Sequence, residues 1–99
     1  MERKELEVFS EQTNYAIVRM PGRNFPGCVI QGDSLSILLR DAERASVLAS
    51  ATGNSELIDE IESLRESLAD RLQHYASVLT AHGMGLPFSR PAINPTAEG

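Results

Sequence analysis

The chain has 99 residues, 41% of them hydrophobic and 23% charged, which is ordinary globular usage and excludes a wholly disordered chain. A net charge of −5 and a pI near 4.9 exclude a strongly electropositive surface, and the few aromatics are not interleaved with Lys or Arg, so no nucleic-acid platform is expected. No apolar run is long enough to span a bilayer, no signal peptide is legible at the start, and the lone Cys28 cannot form an internal disulfide; a cytoplasmic location is the expectation.

In chain order, Leu6–Phe9 alternates and reads as a short strand. A polar turn, Ser10–Asn14, leads to a β-branched and apolar run, Tyr15–Met20, read as a second strand. Residues Pro21–Gly27 hold two prolines and two glycines and break regular structure. Cys28–Gln31 is a third strand, with Cys28 expected as a small buried hydrophobe, and Gly32 ends it.

Asp33 or Ser34 is placed to cap a helix from Leu35 to about Ala51. Its apolar stripe is Leu35, Leu38, Ala42, Ala45 and Ala49, widened by Leu39 and Leu48. Thr52-Gly53-Asn54 is a tight break, with Gly53 as the residue just past the helix end. A second helix, capped by Asn54 or Ser55, runs to about Ala81 with the stripe Leu57, Ile61, Leu64, Leu68, Leu72, Tyr75 and Leu79. That spacing keeps the stripe nearly straight along the helix. His82 and Gly83 end it, Leu86 and Phe88 are placed to dock back on the core, and the segment beyond Pro91 is expected to be disordered. The fold class is therefore α+β: a three-stranded antiparallel ribbon packed on an antiparallel helical hairpin, one domain over residues 1–90 with a tail at 91–99.

At 1.5 Å per residue the first helix is about 26 Å long and the second about 40 Å. The second overhangs the first, and Leu72, Tyr75 and Leu79 in the overhang need cover, from the ribbon or from a second subunit. Open ribbon edges add to the expectation of a homo-oligomer.

The segment P-G-R-N-F-P-G-C-V-I-Q-G-D-S-L, Pro21 to Leu35, is the most informative. A Gly-containing turn entering a helix start offers free backbone N–H groups to an anion, at Gly32, Asp33, Ser34 and Leu35, and Arg19 or Arg23 would grip a phosphate or carboxylate. Phe25 either plugs the core or stands out as a stacking anchor, with the core favoured, and Gln31 offers a side-chain amide. The Asp33 carboxylate would repel an anion, and a plain turn with a capped helix explains the same residues. Neither a P-loop nor a dinucleotide fingerprint is present. Asp70 and His74 lie one turn apart on the second helix, more as a surface ion pair than as two metal ligands, since no third ligand joins them. His82 complements a helix C-terminus. No nucleophile, base and orienting group assemble, and no cofactor is called for.

The stretch Val18 to Leu35, with its P-G-R-x-F-P-G-x-x-x-Q-G-D-S-L pattern, resembles the core motif of a family of small bacterial proteins of unknown function. Tyr75, His82-Gly83 and Leu86-Pro87-Phe88 match that family's long helix, His-Gly end and Leu-Pro-aromatic tail, so the resemblance covers most of residues 6–88. Cys28 stands where the resemblance calls for an aliphatic residue. A bacterial or phage origin is implied; no activity and no site residue are.

The functional expectation is a non-catalytic, oligomeric binding or regulatory protein acting through protein contacts of its loop 21–27 and strand-to-helix junction. The alternative is a binder of an anionic small molecule such as a signalling nucleotide, held by Arg19, Arg23, Phe25, Gln31 and the Gly32–Ser34 turn. A third is an enzyme whose site is shared between subunits.

Overall fold

The computed structural model describes residues 1–12 and 14–89, so the tail read as disordered, 91–99, lies outside the described residues. Three strands, β1 (Glu7–Ser10), β2 (Ile17–Arg19) and β3 (Gly27–Cys28), precede two helices, α1 (Gly32–Thr52) and α2 (Ser55–Ala81). The sheet is antiparallel in the order β1-β2-β3. Val8 faces Val18 and Ser10 faces Ile17, which leaves Phe9 as the extra residue of a bulge. The link from β2 to β3 opens with a turn in which the Arg23 N–H donates to the Met20 carbonyl at 3.1 Å. Gly22, at φ 82°, takes the position of that turn that a side chain would strain.

The helices form the expected hairpin. Gly53 closes α1 in the left-handed region, and the Asn54 side chain accepts the Leu57 N–H at 3.1 Å to cap α2. The early part of α1 meets the late part of α2: Leu35 and Leu39 pack with Leu72, and Leu68, Ala69, Tyr75 and Phe88 close around them. Further along, Ser46 donates to Glu62 across the interface at 2.9 Å, and Arg65 holds the same carboxylate at 2.7 Å.

Two expectations are corrected here. The strands do not pack on the hairpin: neither helix makes backbone contact with any strand, and every described residue from Met1 to Gln31 keeps some exposure. Strands of four, three and two residues present too few alternating side chains to build a shared layer. The radius of gyration reflects this at 16.2 Å, where a compact domain of this length would have about 13 Å.

The overhang is also resolved within the chain. Helix α1 starts at Gly32, three residues earlier than read, which brings its first turn beside Tyr75. At the other end the Met84 N–H donates to the Leu79 carbonyl (2.9 Å) and the Gly83 N–H to that of Thr80 (3.0 Å), with Gly83 at φ 70°. This double-bonded reversal at a left-handed residue turns the chain back along α2. It sets the Phe88 ring 6.2 Å from that of Tyr75. Leu72 is thereby fully buried, at 0% exposure, and needs no second subunit to cover it.

Arg65 and Ser46 hold the Glu62 carboxyl below its ordinary value of 4.5, through their hydrogen bonds first. A folded-state pKa that is lowered adds stability above the unfolded value and loses it as pH falls through the folded one. Between pH 4.5 and that lower value the wild type should therefore lose melting temperature more steeply than Glu62→Gln, in thermal melts followed by circular dichroism. Equal slopes would mean that Glu62 does not staple the helices in solution.

Candidate functional site

The residues singled out in the 19–35 segment fall into three separate settings. Arg19 belongs to the sheet. It faces Glu7 across the β1–β2 ladder and its Nε donates to the Glu7 carboxylate at 2.6 Å. Its guanidinium carbon also lies 5.5 Å from the centre of the Phe9 ring, and Nη1 donates to the Asn24 carbonyl at 3.3 Å. The Arg19 hydrogen bond lowers the Glu7 pKa, and the same bond raises that of Arg19. Within the chain Arg19 is thus already paired.

Arg23 and Phe25 share a second setting, a shallow concavity of about 370 Å³ walled by Gly22, Arg23, Asn24 and Phe25. Phe25 is 84% exposed, which corrects the reading that it plugs the core. The two-proline loop carries it away from the helices, and the space beside Leu72 is filled by Tyr75 and Phe88 instead. Among the described residues no carboxylate pairs with Arg23.

The third setting is the start of α1. Gln31, not Asp33 or Ser34, occupies the capping position, in extended conformation and without a side-chain bond. Asp33 lies in the first turn, where its Oδ1 accepts the Ser34 N–H at 2.8 Å, while the Leu35 N–H donates to the Gln31 carbonyl at 2.9 Å. Two of the N–H groups that an anion would use are engaged, one of them by a negative charge. Gly32 has a different reason to be glycine: a Cβ there would fall on Cζ, Oη and Cε1 of the Tyr75 ring.

What the sequence reading missed is a groove of about 300 Å³ between the sheet side of the molecule and α1. Asn14, Tyr15, Cys28, Ile30, Ser34, Ile37 and Leu38 line it. Cys28 is exposed there, which corrects its reading as a buried hydrophobe; the sheet stands off the hairpin, and no helix among the described residues makes backbone contact with β3. The available signal was Ile37, an apolar residue outside the stripe of α1. Leu38, expected in the core, is 43% exposed at the edge of the buried stripe, and Leu48, also expected there, is 71% exposed.

Asp70 and His74 are both exposed and form no ion pair. No group of three or more His, Cys, Asp or Glu side chains suited to a metal ion occurs among the described residues. No helix there is long and apolar enough to cross a membrane.

In comparisons with known proteins, the model of a family of unknown function, DUF6959, matches residues 1–88. No curated protein and no solved structure matches.

Proposed function

Because the chain belongs to the DUF6959 family, we propose its role from its surface: a non-catalytic, oligomeric binding or regulatory protein of a bacterial or phage cytoplasm, acting through protein–protein contacts. The observation that carries this reading is the apolar groove walled by Tyr15, Cys28, Ile30, Ile37 and Leu38. Along the same side of the helix stands the exposed Leu48. A small acidic protein gains nothing in solubility from such a surface, and apolar patches of this kind mark interaction sites.

A second reading rests on Arg23 and Phe25, a guanidinium with no carboxylate partner among the described residues and an exposed ring beside it in one concavity. It makes the protein a holder of an anionic small molecule, with Arg23 on the charge and Phe25 stacked. Its contact with the start of α1 is weakened by the Asp33 carboxylate there.

Native mass spectrometry of protein purified gently from its host, over a range of concentrations and beside the Arg23→Ala variant, decides between them. The expected result is an oligomer with no added mass. A monomer at every concentration overturns the first reading. A small co-purifying anion, absent from the Arg23→Ala variant, transfers the weight to the second.

A further inference from the structure

The outward face of α1 carries a palindrome. On the side turned from α2, the helix presents Ser34, Ile37, Asp41, Arg44, Leu48 and Ala51, spaced 3, 4, 3, 4 and 3 residues apart. This is the alternation of a coiled-coil seam. Its chemistry reads the same from both ends: small, aliphatic, charged, charged, aliphatic, small. The two charges are opposite.

We propose that α1 pairs with α1 of a second copy of the chain, antiparallel, about a two-fold axis that passes between residues 42 and 43. This rests on the oligomeric reading above and specifies its interface. In that register Ser34 meets the partner's Ala51, Ile37 meets the partner's Leu48, and Asp41 meets the partner's Arg44, each contact made twice, as an isologous interface requires. A parallel arrangement in register would instead set Asp41 against Asp41 and Arg44 against Arg44.

Three features of the single chain support this occupant over another. Ile37 and Leu48 are 55% and 71% exposed, so both ends of the seam lack cover. Asp41 and Arg44 are already an ion pair one turn apart on an exposed surface, so they can exchange partners between copies at little cost. The groove beside Ile37 and Leu38, closed on its far side by Tyr15, Cys28 and Ile30, lies where the partner's Leu48 would arrive. The seam thus gives one occupant to both unpartnered surfaces, the groove and the outer face of α1.

The test uses charge reversal in the full chain. Asp41→Arg puts four arginines at the centre of the seam, and Arg44→Asp puts four aspartates there. Each variant alone should dimerise at least tenfold more weakly than the wild type in sedimentation equilibrium. The two variants mixed should form a heterodimer with the wild-type affinity, because each supplies the charge that the other lacks. Circular dichroism checks that both remain folded, and the mixture restores binding only if the pairing is between chains. An oligomeric wild type whose single variants associate unchanged, or whose mixture stays apart, overturns the α1 seam and leaves the oligomeric reading standing. A monomeric wild type overturns both.

Discussion

Replacing Leu72 by Ala is expected to cost about 2–5 kcal/mol, the range for emptying a fully buried leucine site. Leu72 is the centre of the packed cluster, at 0% exposure between Leu35, Leu39 and the Tyr75–Phe88 pair. The described core holds few other large buried side chains, so neighbouring residues cannot collapse to fill the space. For a domain of this size the melting temperature should fall by on the order of 10 °C or more. Thermal unfolding followed by circular dichroism reads it. Leu48→Ala is the control: a leucine equally apolar but 71% exposed should change the melting temperature of the monomer very little. A small loss at Leu72, or equal losses at both positions, would mean that the hairpin does not pack in the register described.

Gly32→Ala is the second case, and here two effects compete with opposite sign. In a helix, alanine is favoured over glycine by up to about 1 kcal/mol. Against that, a Cβ at residue 32 meets the Tyr75 ring, a rigid group packed with Phe88 against the core cluster. Overpacking of this kind costs about 1–3 kcal/mol. The clash should win, so Gly32→Ala is expected to lower the melting temperature. In a Tyr75→Leu background the same change should become neutral or stabilising, since the obstacle is gone. A rise in melting temperature in the wild-type background would show that the ring does not rest on the glycine.

The two substitutions also bear on how the chain uses its most distinctive segment. Gln31, Gly32 and Leu35 are the end of that motif, and the structure ties them to helix packing. Gly32 receives Tyr75, Leu35 reaches Leu72, and Gln31 starts the helix. The other end of the motif, Arg23 and Phe25, faces solvent. A site that spans the whole segment therefore has to bridge a packed helix start and an exposed loop.

Much of the fold was legible in local pattern. The second helix was read to its last residue because its apolar repeat runs unbroken from Leu57 to Leu79 and is bracketed by Asn54 and Gly83. The order of elements and the antiparallel sense of the sheet and hairpin follow from short connections, which leave no other course. Strand edges shifted by a few residues: β3 is assigned only Gly27–Cys28, and its pairing with the β2 side extends one step further, where the Val29 N–H donates to the Ala16 carbonyl at 2.8 Å, but not along the whole β-prone run to Ile30.

What the sequence determined by itself is thus the set of elements, the break at Gly53 and Asn54 between the helices, and the face that each helix buries most deeply, since these depend on residues within a few positions of one another. Only the tertiary structure decided what covers what. Phe25 and Cys28 are as apolar as core residues, and nothing local distinguishes them; they are exposed because the sheet is too short to form a layer on the hairpin. Tyr75 and Phe88 close the overhang because a left-handed Gly83 turns the chain back on itself, bringing together rings that are distant in sequence. Ile37, Leu38 and Leu48 are left outside because a helix with apolar residues on two sides has, among the described residues, one helix to pack them against. Which side wins is set by the fit against α2, and that fit depends on contacts between residues tens of positions apart.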